Sequence, residues 1–209
     1  MNIQTGILAA VLGLGMSAAQ ASSREVTLAV PSASLRATLS VPEGVAHPPV
    51  VLILAGSGPT DRDGNGPSGL STDVYRKLAG ALTAAGYAVL RPDKRGVGSS
   101  AATDSREEAL TFSTYVQDAH AWLTWLGQQP ELGKVAVIGH SEGALVGLAA
   151  CLEPSTSQGA EPVGAYVSLA GAGDNIADTL RRQLRANPAN PAALTSEADR
   201  IIASLRGGQ

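Results

Sequence analysis

The sequence predicts one α/β domain, built on a mainly parallel β-sheet with helices on both faces. Short apolar runs typical of buried strands alternate with longer segments of helical periodicity through most of the 209 residues. Repeated βα alternation with short loops is typical of parallel sheets with right-handed crossovers. The composition agrees, because 44% hydrophobic and 16% charged residues are typical of a chain with one substantial core.

The first predicted element is an antiparallel hairpin. Residues 24–41 alternate apolar and polar side chains on both sides of Pro31. A period of two around a proline-containing break is typical of a hairpin at the edge of a sheet. Residues 50–55 are instead continuously apolar, so we expect a strand in the middle of the sheet, covered on both faces.

Strand and helix patterns then alternate. Further strands are predicted at residues 87–90, 135–138 and 164–169. Helices are predicted near residues 73–85, 107–128 and 141–152. Beyond Gly171 the strand pattern ends, and residues 174–186 and 192–205 have the spacing of two amphipathic helices.

The segment most informative about function is Gly139-His140-Ser141-Glu142-Gly143. It joins a predicted buried strand to a predicted helix of small residues. A serine between two glycines in that context is the layout of a nucleophile elbow, which exposes the serine hydroxyl at a sharp turn. We therefore predict Ser141 as a nucleophile, with the N–H of Glu142 as an oxyanion donor. His140 is expected to pack rather than to act as the base.

A glycine-rich loop, residues 55–66, follows the first buried strand. Ligands of open α/β sheets lie outside the carboxyl ends of the strands. Glycines let the backbone of such a loop turn tightly and direct N–H groups inward, as the stabilisation of an oxyanion requires. We expect this loop to lie beside the elbow.

The same loop has a second interpretation, because Asp61, Asp63, Asn65 and Gly66 match the start of an EF-hand calcium loop. An EF-hand needs a glutamate at its twelfth position, where this chain has Thr72. The alternative is a polar turn whose side chains accept hydrogen bonds from backbone N–H groups.

The loop at residues 91–100 gives a poor match to a dinucleotide fingerprint, as Gly96-x-Gly98-x-x-Ala101. No predicted helix begins directly at these glycines, as that fingerprint requires. We expect Asp93 and Arg95 to brace the neighbouring loops instead.

Residues 56–65, 93–100 and 139–143 together resemble the α/β-hydrolase superfamily, and are most similar to bacterial esterase-like proteins grouped with the serine aminopeptidases. The resemblance covers roughly residue 25 to the end of the chain. It implies that Ser141 is the catalytic nucleophile and that the backbone N–H groups of Ser57 and Glu142 form the oxyanion hole. It also implies a core at residues 22–171, a helical cap over the acyl pocket at 172–209, and neither a cofactor nor a metal ion.

The family follows its cap with two further strands that carry the acid and the histidine of the triad, and this sequence has no histidine after His140. His47 precedes the first buried strand, and His120 lies within a predicted helix. Asp174 is a weak candidate for the acid, because it stands where the cap begins. We therefore expect the chain to be C-terminally incomplete, and to be inactive and poorly soluble by itself.

The first 21 residues carry no charged side chain and end in Ala19-Gln20-Ala21, which is the small-residue pattern of a signal peptidase site. We predict a signal peptide cleaved after Ala21, and export to a bacterial periplasm or the extracellular space with no membrane span left. An uncleaved tail or a misassigned start is the alternative.

The net charge of −3 with scattered basic residues argues against a nucleic-acid partner. Cys151 cannot form an intramolecular disulfide, since it is the only cysteine, and is expected to be a small core residue. The predicted function is cleavage of small-molecule carboxylic esters with short acyl chains. A non-catalytic binding module, a peptidase and an acyltransferase are the alternatives, and the oligomeric state is not indicated.

Overall fold

The computed structural model describes residues 21–67, 69–100, 110–153 and 163–208. Its strands are β1 (Ala21–Val30), β2 (Ala33–Pro42), β3 (Val50–Leu54), β4 (Ala88–Pro92), β5 (Val135–His140) and β6 (Ala165–Leu169). Its helices are α1 (Val74–Ala84), α2 (Phe112–Gly127), α3 (Glu142–Leu152), α4 (Ile176–Ala186) and α5 (Ala192–Arg206).

The six strands form one sheet in the order β1-β2-β4-β3-β5-β6. The strands β4, β3, β5 and β6 are parallel to one another, whereas β1 pairs with β2, and β2 with β4, in the antiparallel sense. The predicted mainly parallel sheet with an N-terminal hairpin at its edge is confirmed. Ser32 completes the hairpin turn with a positive φ of 62°.

The strand β3 shows why the core has two layers. All five of its residues are buried, and successive side chains of a strand point to opposite faces of the sheet. Leu52 belongs to the core cluster that includes Trp122 of α2 and Val146 of α3, whereas Val51 belongs to the cluster that includes Tyr75 of α1. The prediction of a strand covered on both faces is confirmed.

Local signals set the helix ends. The helix predicted from residue 107 begins at Phe112, because Thr111 caps it: the Thr111 hydroxyl accepts from the Thr114 N–H at 3.3 Å. Residues 101–109 lie outside the described part of the chain. Cys151, expected in the core, is half-buried and packs against the larger cluster.

The C-terminal elements are less buried than the rest. The strand β6 ends the order of strands and has four exposed residues out of five. The helices α4 and α5 form where the sequence predicts them, and Arg181 of α4 holds the Asp199 carboxylate of α5 at 2.8 Å. Their role as a cap stays a prediction, and no residue of α5 is buried.

Most of the predicted signal peptide lies outside the described residues, since only Ala21 is described and it begins β1. Among the described helices, none has the length and apolar character needed to cross a membrane.

The two core layers lead to a prediction about stability. Leu52 is fully buried, whereas Leu152 is 75% exposed. We expect Leu52→Ala to lower the free energy of unfolding by about 2–5 kcal/mol, because it leaves a cavity in the sheet. The matched Leu152→Ala change should stay within about 0.5 kcal/mol. Urea unfolding followed by circular dichroism measures both, and equal losses would contradict this core.

Candidate active site

A single residue, Ser141, lies between the end of β5 at His140 and the start of α3 at Glu142. Its backbone has φ 52° and ψ −117°, a conformation that residues with a side chain rarely adopt. The strand therefore turns into the helix within one residue. This is the geometry of the predicted elbow, with the half-buried Ser141 at the carboxyl end of the parallel strands.

The glycines on either side are required by close backbone contacts. A Cβ atom at Gly143 would lie 2.4 Å from the carbonyl oxygen of Ala55 and 2.5 Å from that of Leu54. A Cβ atom at Gly139 would lie 2.3 Å from the carbonyl oxygen of Gly143. Because these neighbours are backbone atoms, neither position can accept a side chain without moving the elbow.

The end of β6 holds the elbow from the other side. The Ser141 N–H donates to the Leu169 carbonyl at 2.9 Å, and the Tyr166 hydroxyl donates to the Ala144 carbonyl at 2.6 Å. Thus β6 holds both Ser141 and the first turn of α3. Nothing in the sequence pattern indicated these contacts.

The loop after β3 passes next to Ser141, as predicted. A Cβ atom at Gly56 would lie 3.3 Å from Ser141 Cβ and 3.0 Å from His140 Nδ1. The hydroxyl of Tyr75 accepts the Gly56 N–H at 3.1 Å and lies 2.8 Å from His140 Nδ1. Burial raises the pKa of Tyr75, so the phenol stays neutral. His140 therefore joins the elbow to this loop.

Lys94, from the loop after β4, holds the same glycine-rich segment. Its Nζ donates to the carbonyl oxygens of Gly56 and Gly58, the second at 2.5 Å. Burial lowers the pKa of Lys94, and the attraction of the Glu142 carboxylate opposes that shift. Lys94 lies within the motif at residues 93–100, but no local pattern distinguished it there.

The two predicted oxyanion donors belong to the two segments that meet here, the loop after β3 and the turn from β5 into α3. The N–H of Glu142 is the first of α3, and the first N–H groups of a helix have no partner within the helix. Ser57 is exposed and stands between the two glycines whose carbonyls Lys94 binds. The structure thus brings the Ser57 loop and the Ser141–Glu142 turn together, and their roles stay predictions.

The acidic residues of the first loop form a polar turn, which is the predicted alternative to calcium binding. Asp61 Oδ1 accepts the N–H groups of Asp63 and Asn65 at 2.9 and 2.8 Å, and Asn65 Oδ1 accepts that of Asp73 at 3.0 Å. The Asp63 carboxylate pairs with Arg91. The described residues include no group of three or more histidine, cysteine or acidic side chains placed to hold a metal ion.

The predicted bracing by Asp93 is confirmed. Its buried carboxylate accepts from Arg62 Nε at 2.9 Å, from Arg62 Nη2 at 2.7 Å and from the Ser99 N–H at 2.7 Å. A Cβ atom at Gly98 would lie 2.5 Å from that carboxylate. The absence of a side chain at Gly98 thus leaves room for the Asp93 carboxylate inside the loop. Ala101 lies outside the described residues.

Arg62 and Arg95 add two further ion pairs around the site loops. Arg62 also donates to the Glu25 carboxylate of β1 at 2.8 Å, which ties the hairpin to the site loops. Arg95 binds Asp118 of α2 through two hydrogen bonds, as the predicted bracing role requires. Arg62 was not predicted from the sequence, where its only signal was its position between two aspartates.

The other candidates for the triad lie elsewhere. His47 precedes β3, at the end of the sheet opposite Ser141, and four residue steps along β3 correspond to about 13 Å. His120 of α2 lies 3.3 Å from the carbonyl oxygen of Ala150, nine residues and about 13 Å along α3 from Ser141. The Asp174 carboxylate is half exposed and pairs with Arg182.

A small cavity of about 40 Å³ lies between the site loops, α2 and α3. Its walls include the apolar side chains of Leu54, Trp122 and Val146 together with Lys94 and Glu142. The cavity therefore lies next to one predicted oxyanion donor. It is large enough for a few water molecules or a short apolar group.

A comparison with family models finds that the family described as serine aminopeptidase, S33, matches residues 69–189. A search of the curated proteins finds no significant match. Among solved structures, a dienelactone hydrolase from Anabaena variabilis is 27% identical, with a TM-score of 0.55 over 73% of this chain and 64% of that chain.

Two further structures show a similar fold at lower identity. Est1E from Butyrivibrio proteoclasticus, solved with ferulic acid, is 21% identical with a TM-score of 0.56, over 76% of this chain and 56% of its own. A thermostable carboxyl esterase from Bacillus coagulans is 16% identical with a TM-score of 0.57, over 78% and 49%. The chain thus spans less than two thirds of the length of these proteins.

The close backbone contact at Gly143 can be tested against a glycine that has room. Gly143→Ala should lower the free energy of unfolding by about 3 kcal/mol or more. Its Cβ atom would overlap two backbone carbonyl oxygens, and neither can move without a shift of the backbone at the end of β3. At Gly80, in the middle of α1, a Cβ atom would have no neighbour within 4 Å, so Gly80→Ala should raise stability by about 0.5–1 kcal/mol. Thermal unfolding decides, and a neutral Gly143→Ala change would contradict the elbow geometry.

Proposed function

Because the chain belongs to the serine aminopeptidase S33 family and has the α/β-hydrolase fold, we propose that it acts on carboxylic esters of small molecules through an acyl-enzyme on Ser141. The observation that carries this proposal is the one-residue turn at Ser141, with φ 52° and ψ −117°, directly beside the Gly56 loop. A strained serine at the carboxyl edge of a parallel sheet is the arrangement from which nucleophiles of this fold react.

The proposed reaction begins with attack of Ser141 Oγ on the ester carbonyl carbon. The carbonyl oxygen becomes an oxyanion, which the N–H groups of Ser57 and Glu142 stabilise. The alcohol then leaves with the proton that Ser141 has lost, and the acyl group stays on Oγ as an ester. Attack by water releases the carboxylic acid and restores the serine hydroxyl.

The proton of Ser141 needs a base, and the positions of the histidines argue that this chain does not supply it. His47 precedes β3, at the end of the sheet opposite Ser141, and His120 contacts Ala150, which lies about 13 Å along α3 from Ser141. His140 lies 2.8 Å from the Tyr75 hydroxyl through Nδ1. We therefore propose that the base and the acid of the triad are not among the residues of this chain, so that acylation by activated esters is possible while turnover is slow.

The size of the cavity supports short acyl groups. Its volume of about 40 Å³ and its apolar walls fit a group of a few carbon atoms next to Glu142. The buried side chain of Trp122, which is 1% exposed, forms part of its wall. The cavity thus favours acetyl or propionyl esters.

Acylation by p-nitrophenyl acetate tests the proposal. We expect the chain to release about one equivalent of p-nitrophenolate and to gain one acetyl group on the peptide that contains Ser141. Ser141→Ala should remove both signals. Ser57→Ala should retain them, since the proposed role of Ser57 uses only its backbone N–H.

Three outcomes would change the proposal. Acetylation at an equal rate in Ser141→Ala would favour a non-catalytic binding module. Sustained turnover by the unmodified chain would show that it carries its own base. Faster release of p-nitroaniline from an aminoacyl p-nitroanilide than of p-nitrophenolate from the ester would favour the peptidase activity that the family description names.

We also propose that the protein is exported, with residues 1–21 as its signal peptide. The support is the uncharged apolar segment and the Ala19-Gln20-Ala21 pattern. Expression in a Gram-negative host should yield a periplasmic product whose N-terminal residue is Ser22. Ala19→Leu should block cleavage, because signal peptidase requires small residues there, and a cytoplasmic product that retains Met1 in the unmodified chain would contradict export.

A further inference from the structure

We propose that Lys94 is a positioning residue that sets the direction of the Ser57 N–H by binding the carbonyl oxygens of Gly56 and Gly58. This inference deepens the proposed function and rests on it, because the direction of the Ser57 N–H matters only if that group stabilises an oxyanion.

The peptide group between Gly56 and Ser57 links the contact of Lys94 to the direction of the Ser57 N–H. No described peptide bond is cis, and in a planar trans peptide the C=O and the following N–H point in opposite directions. The carbonyl of Gly56 faces Lys94 Nζ, so the N–H of Ser57 faces away from Lys94. Binding of the ammonium group to this carbonyl therefore fixes the orientation of the predicted donor.

The neighbouring peptide groups are held as well. Lys94 Nζ also binds the Gly58 carbonyl at 2.5 Å, and the Gly56 N–H donates to the Tyr75 hydroxyl at 3.1 Å. Gly58 has a positive φ of 75°, and a Cβ atom there would have no neighbour within 4 Å. A glycine-rich segment without side-chain packing would rotate freely, so these polar contacts decide its conformation.

The charge of Lys94 is balanced from α3. Titratable or charged groups face this region from the loop after β4, from α1, from α2 and from α3: Asp93, Arg95, Tyr75, Tyr115, Asp118 and Glu142. Asp93 is paired with Arg62, and Arg95 with Asp118. The Glu142 carboxylate is the group that acts on Lys94 electrostatically, so the cation joins the first loop to the residue after the nucleophile.

The pH dependence gives a signature that simple packing would not give. Burial lowers the pKa of Lys94 from its ordinary value of 10.5, so the ammonium group is lost at a lower pH in the folded protein. Its hold on the two carbonyls should weaken at that pH. The free energy of unfolding should instead rise with pH between the lowered pKa and 10.5. In that range Lys94 is protonated in the unfolded chain and neutral in the folded protein, so raising the pH favours the folded state.

The experiment observes the Gly56–Ser57 peptide directly. The sequence has two Gly–Ser peptides, Gly56–Ser57 and Gly98–Ser99. Labelling glycine with ¹³C at the carbonyl and serine with ¹⁵N thus gives two signals in a carbon-detected carbonyl–nitrogen NMR spectrum. The second signal is a matched internal control, because the Ser99 N–H is held by Asp93 rather than through Lys94.

In the unmodified chain we expect the Gly56 carbonyl signal to move upfield with a midpoint below pH 10.5, as it loses the hydrogen bond from the ammonium group. Lys94→Met should show the high-pH position at every pH, and Lys94→Arg should keep the low-pH position throughout. A Gly56 signal that is the same at pH 7 in the unmodified chain and in Lys94→Met would overturn the inference. If Lys94→Met does not fold, the titration of the unmodified chain and the Lys94→Arg variant still decide it.

A second experiment measures the rate of acetylation of Ser141 by p-nitrophenyl acetate in the same variants. Lys94→Met should slow acetylation about tenfold, which is less than the 10²–10³-fold loss expected for removing an oxyanion donor, and Lys94→Arg should recover part of the rate. An unchanged rate in Lys94→Met would overturn the positioning role. If the unmodified chain is not acetylated at all while its Gly56 signal depends on Lys94, the proposed function fails and the hold of Lys94 on the loop stands.

Discussion

The rest of this structure depends on one steric constraint at the turn from β5 into α3. The backbone of this turn lies so close to the end of β3 that there is no room for a side chain between them. Gly143 faces the carbonyl oxygens of Leu54 and Ala55 at the end of β3, and Gly139 faces Gly143 itself. The turn between them then falls on Ser141, whose conformation costs on the order of 1–3 kcal/mol. It persists because its N–H is bound to Leu169 and because β3 and β5 are register-paired up to Leu54 and Gly139.

The loops around the elbow are held by charge rather than by regular structure. Asp93 with Arg62, and Arg95 with Asp118, are buried pairs with good geometry. Such pairs add little net stability compared with apolar packing, but breaking one leaves an uncompensated charge in the interior. We therefore expect these pairs to exclude other conformations of the loops around Ser141.

In the C-terminal elements, the local sequence pattern predicts the helices but not the surfaces that they cover. The polar and apolar periodicity of residues 174–186 and 192–205 predicted two helices, and Asn175 caps the first by accepting the Asp178 N–H at 3.0 Å. What these helices cover was not encoded in that periodicity. In the described part of the chain they contact each other, and Leu180 and Ile201 remain 42% and 50% exposed. An apolar helix face indicates that another surface packs against it, but it does not indicate which surface.

The sequence by itself determined the succession of strands and helices along the chain, the mainly parallel character of the sheet and the position of the elbow. These follow from residues that are neighbours in the chain: the period of two in the hairpin, the continuous apolar run of β3, and the glycines two residues on either side of Ser141. It also indicated that Asp93 and Arg95 brace loops, without indicating their partners. Only the tertiary structure decided that Lys94 holds Gly56, that Tyr75 meets His140 and that Arg62 meets Asp93. These pairs are 38, 65 and 31 residues apart, and they meet because the sheet places β4, β3 and β5 side by side, an arrangement that depends on the free energy of the whole core.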